Sequence, residues 1–173
     1  MRSTLPAALA IVALCVSAAI LYGIVHDQIT VRISLEYFTL AHPRVIESED
    51  PTLLALTWGV LATWWVGLPL GVLLAWAALA GPLPQRQPAT LVAPLFKLLL
   101  TMGALAAGSA WLAHQAGAAG RIQLTEPLYS LIPLDRHLAC LTAAAAHNTS
   151  YLAGFIGGLW LAWRVRASRR TAQ

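Results

Sequence analysis

The chain has 173 residues, of which 58% are hydrophobic and 10% charged, with a mean hydropathy of +0.68 and a formal charge of +4. The apolar residues fall in long blocks rather than amphipathic stripes, a membrane composition that argues against a soluble domain. The basic balance reflects the placing of cations around those blocks and not nucleic-acid binding.

A helix rises about 1.5 Å per residue, so about 20 apolar residues cross a hydrocarbon core roughly 30 Å thick. Four segments qualify: 5–25, 53–80, 89–113 and 138–163. The predicted fold is therefore all-α, a four-helix transmembrane bundle forming one domain over 1–173. External loops 26–52 and 114–137 would form a small cap.

The first segment follows Arg2 and runs for roughly 20 residues, longer than the 7 to 15 of a cleaved signal, so it reads as a membrane anchor. Cys15 follows Leu14, not the small residue that a lipoprotein signal requires. With Cys140 as the second of two cysteines, neither a disulfide framework nor a cysteine zinc site can be read.

At the end of this segment Tyr22 and His26 are four apart on one helical face, and Asp27 follows. Beyond them Ile29, Val31, Ile33 and Leu35 alternate with Thr30, Arg32, Ser34 and Glu36, the period of a strand. Its partner would be the alternating piece around Ile122 and Leu124, giving a two-stranded β element in the cap. A helix that simply continues past His26 is the other reading.

The second segment carries Gly67 and Gly71 around Pro69, and the fourth carries Gly154 and Gly158. Small residues four apart let helix backbones approach closely in lipid. A Pro-rich stretch, 81–88, reads as a short connection. Lys97 lies near one end of the third segment, where its stem carries the ammonium to the headgroups. On the fourth segment His147, Tyr151, Gly154 and Gly158 share one stripe, so the histidine faces the bundle, with Asn148 and Ser150 at the same depth.

Arg2, Arg86, Lys97, Arg164, Arg166, Arg169 and Arg170 fall on one side of the blocks, and Arg32, Arg44, Arg121 and Arg136 on the other. The richer side is cytoplasmic by the positive-inside rule, which places both termini inside. All seven acids and the histidines then lie on the outer side.

That face supplies the candidate site: His26, Asp27, Glu36, His42 and His147, with Tyr22, Arg32, Asn148 and Tyr151 in support. Imidazole and carboxylate are the ligand types of a divalent zinc, iron or copper ion, and also the groups that move protons. A structural account exists beside the metal one. Asp27 could cap or pair with Arg32, and Glu36 could pair with Arg32 or Arg44, while His42, His114 and His137 fit loop or headgroup positions. His26 and His147 are harder to set aside, because polar groups at membrane depth are costly without partners. A polar network joining the first and fourth helices would satisfy them equally well. No HExxH, GxSxG, P-loop or haem-attachment motif is present.

The run Tyr22-Gly23, His26-Asp27-Gln28, Thr30, Arg32, Glu36-Tyr37-Phe38-Thr39 and His42-Pro43 continues with Ala62-Thr63-Trp64-Trp65-Val66-Gly67 and then His147, Ser150-Tyr151, Gly154-Phe155 and Gly157-Gly158. It resembles a family of uncharacterised bacterial multi-pass integral membrane proteins. The resemblance implies a bacterial inner-membrane location and no particular chemistry. The expected role is binding or structural, with a polar site at the outer interface. A metal-dependent membrane enzyme and a subunit of an oligomeric transporter or channel are the alternatives. The partners expected are the lipid bilayer and a second copy or another membrane protein, with no nucleic acid.

Overall fold

The structure, a computed structural model, describes residues 4–170; Arg2 lies outside them. All regular structure among these residues is helical, and no strand occurs. Helix α1 spans Leu5–Ile33, α2 Leu35–Thr39, α3 Pro51–Leu61, α4 Trp64–Leu79, α5 Ala89–Ala118, α6 Leu128–Leu131 and α7 His137–Ser168, with a 3₁₀ turn at Leu134–Arg136 before the last.

The alternation over 29–36 does not make a strand. Helix α1 carries straight through it to Ile33, so that each backbone group finds its partner within the helix and none needs a second strand. Leu124 instead buries its side chain in a small cluster with Ile132 and Cys140. The chain turns at Ser34, which is extended (φ −144°, ψ 108°), and the Ser34 hydroxyl oxygen accepts the Tyr37 N–H at 3.3 Å to start α2. This short helix folds Tyr37 and Phe38 back over the end of α1. Phe38 is then held by Val31, Leu54 and Ala55.

Asp50 caps α3 by accepting the Leu53 N–H at 2.9 Å, and Pro51 occupies the first turn, where a missing N–H costs nothing. The second apolar segment is not one straight helix. It breaks at Ala62–Thr63 rather than at Pro69, which lies inside α4. Side chains take up the carbonyls at the break: Thr63 Oγ1 donates to Gly59 O at 2.5 Å, and Tyr151 Oη donates to Ala62 O at 3.2 Å.

Helix α1 packs along α3 and α4, α5 packs along α7, and the two layers meet chiefly where α4 lies against α7. Glycines permit the tightest of these approaches. A Cβ on Gly67 would lie 2.9 Å from Val16 Cα, and one on Gly59 would lie 2.6 Å from Ile24 Cα. Gly154 and Gly158 face the flexible ends of Met102 and Leu70 instead.

Among the described residues, three helical stretches are long and apolar enough to cross a membrane: Leu5–Ile33, Pro51–Leu79 and Ala89–Ala118. Helix α7 is as long, with 32 residues, but its hydroxyls, His147, Asn148 and terminal arginines lower its hydropathy. The outward side chains are oily. Leu5, Leu9, Leu21, Val25 and Ile29 of α1 are each at least 60% exposed.

At the opposite end from the histidines, Arg169 is completely buried. Its guanidinium donates to Ala77 O (2.6 Å), Leu83 O (2.8 Å), Pro84 O (2.8 Å) and Ala80 O (3.0 Å). Arg169 thus satisfies the last carbonyls of α4 and the turn after it, and Arg166 joins it at Ala80 O.

Candidate functional site

Helices α1 and α7 bring His26, Asp27 and His147 together, although 120 residues separate the last two. One ligand atom from each lies within 4.8 Å of the others. His147 and Asp27 are buried, and His26 is partly so.

Hydrogen bonding fixes the orientation of His147. Its Nδ1 lies 2.9 Å from Ala143 O, one turn back on α7. A carbonyl can only accept, so Nδ1 carries a hydrogen. That leaves Nε2 facing Asp27 Oδ1 at 3.1 Å. A proton must occupy this contact, on imidazolium or carboxylic acid, or else two lone pairs face each other and a cation bridges them.

His26 stands edge-on to His147, with ring centroids 4.6 Å apart. Its Nδ1 lies 3.4 Å from Ser150 Oγ, which is 2.8 Å from Tyr22 Oη. Helical spacing explains this chain of groups: Tyr22 and His26 are one turn apart on α1, as are His147 and Ser150 on α7. The other ring nitrogen, His26 Nε2, is buried and has no hydrogen-bond partner among the described residues. Trp58 Nε1 is in the same position. Buried polar atoms are almost always satisfied, so two such atoms at one site point to a missing ligand.

Aromatic rings wall the cluster. Tyr37 and Phe38 stand 4.6 and 5.6 Å from the His147 ring, centroid to centroid. His42 donates its Nδ1–H to Tyr37 O at 2.7 Å, and its ring lies 4.9 Å from that of Trp58. It borders the same cavity without joining the three-ligand group. Burial pushes the Tyr37 phenol up, so it stays a neutral wall.

No protein-family model matches the chain, and no curated protein or solved structure matches it either. Function must therefore be argued from the site itself.

The remaining sequence candidates go elsewhere. Glu36 pairs with Arg136 at 2.6 Å and accepts from Ser34 at 3.1 Å, tying the two loops together outside the cluster. Partial burial pushes its carboxyl up, but hydrogen bonds from Arg136, its own backbone and Ser34 outweigh this and hold it below the usual range. Arg32 pairs with neither Asp27 nor Glu36. The continuing helix sets it one turn beyond Gln28, whose backbone and side-chain oxygens it contacts at 2.6 and 2.7 Å, and its other end reaches Thr52 Oγ1. Arg44 spans Glu47 and Glu49 at the surface. Asn148 is exposed, whereas Ser150 turns inward, and Tyr151 borders the cavity while bonding to Ala62. His114 meets Thr142, and His137 meets Ile132 O.

Two imidazoles and one carboxylate could serve as three ligands and leave a fourth position to an exogenous group. The same set serves zinc hydrolases and non-haem iron sites. A ring N–H donated to a backbone carbonyl, as in His147, is the usual outer-shell support of a ligating imidazole. Ser150 and Tyr22 supply equivalent support to His26.

Proposed function

We propose that the chain is a bacterial inner-membrane protein crossing the bilayer four times, with both termini cytoplasmic, whose His26, Asp27 and His147 bind one divalent transition-metal ion at the outer interface. The fourth crossing is α7, and the orientation rests on the arginine distribution. The bacterial assignment rests on the sequence resemblance alone. The observation that carries the metal reading is the gathering of one ligand atom each from His26, Asp27 and His147 within 4.8 Å, with a buried His26 Nε2 that no described residue satisfies. A protein-only network would leave that nitrogen unsatisfied.

Three protein ligands and an open position allow the ion to activate a bound water or polarise a substrate oxygen. The role is binding or metal-dependent chemistry at the membrane surface. A polar network that fastens α1 to α7 is the competing reading, favoured by the Tyr22–Ser150–His26 chain. Metal-dependent stability separates the two. Cobalt(II) added to chelator-treated protein in mild detergent should raise the melting temperature and produce visible d–d absorption. Both effects should vanish in His147→Ala. A melting temperature indifferent to metal and chelator, with no absorption, would leave the network reading in place.

A further inference from the structure

Helices α5 and α7 leave a groove of about 980 Å³ between them, and none of His26, Asp27 and His147 lines it. Half-buried Leu98 and Gly157 lie between the two helices, while Leu105, Leu152 and Ile156 are each at least 50% exposed. The groove therefore opens onto the face that meets lipid when α5 and α7 lie in a bilayer. Its lining residues on α7 run from Thr149 to Ser168, about 28 Å of helix. One leaflet of a hydrocarbon core roughly 30 Å thick takes about half of that length.

Two cations line this otherwise largely apolar groove, Lys97 of α5 and Arg164 of α7, and no acid does. Neither has an ion-pair partner among the described residues. The helices run antiparallel: Ser109 donates to Ala145 O, whereas Gly157, further along α7, lies against Leu98, earlier on α5. That register sets Lys97 level with about Gly158, roughly 9 Å of helix short of Arg164. Helical side chains lean toward their own N-terminus, so on antiparallel helices these two lean toward a common level. Arg164 shows the lean, with its Cζ over the Trp160 ring one turn back, 5.2 Å from the centroid. Two converging cations without an acid recognise a phosphate, and a zwitterionic head would bring its own ammonium against them. Basic pockets between membrane helices are recurrent sites for anionic lipid heads.

We propose that this groove binds an anionic glycerophospholipid of the phosphatidylglycerol class, its phosphate between Lys97 and Arg164 and an acyl chain along the seam of α5 and α7. The site is independent of the metal ion. It depends on α7 lying in the bilayer, the fourth crossing proposed above.

The test uses the full chain in nanodiscs of phosphatidylglycerol and phosphatidylcholine in equal amounts, with native mass spectrometry identifying the lipid retained after release. One phosphatidylglycerol should be retained per chain in preference to phosphatidylcholine. The preference should fall by roughly fivefold in Lys97→Gln and in Arg164→Gln. Arg170→Gln, which removes a cation outside the groove, should keep it. Both groove cations are exposed, so the variants should fold, and the parent's preference tests the proposal even if one does not. Equal retention of the two lipids would overturn it, as would a preference that survives both groove substitutions or falls equally in Arg170→Gln. A dimer that retains no lipid would also overturn it, giving the groove to a second copy. Ile156→Cys in the same nanodiscs checks the crossing on which the site depends. An impermeant maleimide should spare it; labelling there would overturn the fourth crossing and the lipid site together. Sparing without lipid retention would overturn the lipid site alone.

Discussion

At the scale of single residues, the pair Asp27–His147 governs the account. Both were legible in the sequence, since an acid and an imidazole at membrane depth need partners, and the 4, 3, 4 spacing of His147, Tyr151, Gly154 and Gly158 turns that face inward. A network joining the first and fourth helices was one reading of these residues, but which of their atoms meet was not legible, because sequence separation says nothing about contact geometry. Ser150 was visible only as a polar group at the right depth. Tyr37 and Trp58 carried no signal, as aromatic residues near an interface are ordinary. Replacing Ser150 by Ala removes the hydroxyl beside His26 Nδ1 and should weaken metal affinity by roughly 10 to 100-fold, measured by competition with a chromophoric chelator. Unchanged affinity would show that this hydroxyl does not orient the ring.

At the scale of elements, three apolar blocks among the described residues form helices long enough to cross a membrane, the second of them in two pieces, and of the two readings for residues 29–36 the continuing helix is the one that forms. Long apolar blocks announce helices by length alone. The alternation over 29–36 suggested a strand because a period read over eight residues cannot weigh the cost of an unpaired ladder, which the helix avoids. The cap is instead held by α2 and by the Glu36–Arg136 pair. The Glu36 carboxyl is held below its ordinary range in the fold, so the pair's contribution is present at neutral pH. It is lost as pH falls from the ordinary glutamate range of about 4 downward through the lowered value. With Arg136 exposed, solvent screening keeps this contribution small. Glu36→Gln should therefore be slightly less stable than the parent at pH 7, with the gap closing under acid in low-salt thermal melts. A gap that widens under acid would contradict the sign. On the α1–α3 contact, Gly59→Val places a side chain against the backbone of Ile24 and should cost about 1 to 3 kcal/mol or more. Urea-induced unfolding in mixed micelles measures that loss, and a neutral result would mean the helices can separate freely there.

At the scale of the whole molecule, polarity is divided between two ends. One end gathers the histidines, the acids and the two unpartnered ring nitrogens, and the other gathers Arg86, Arg166 and Arg169 around the end of α4. The sequence displayed that division through its charge distribution, but the burial of Arg169 could not be read from it, since a tail arginine looks the same whether it meets lipid or four carbonyls. The two cysteines are buried, so new ones can report sidedness. In intact cells, an impermeant maleimide should label Glu47→Cys and spare Arg170→Cys until the membrane is opened. The reverse pattern would invert the orientation.

The central claim is that His26, Asp27 and His147 form one metal site, and elemental analysis of the detergent-purified protein tests it most directly. The account predicts close to one transition-metal ion per chain, lost in His26→Ala, Asp27→Asn and His147→Ala alike. A parent protein free of metal, or one whose metal survives all three substitutions, would contradict it.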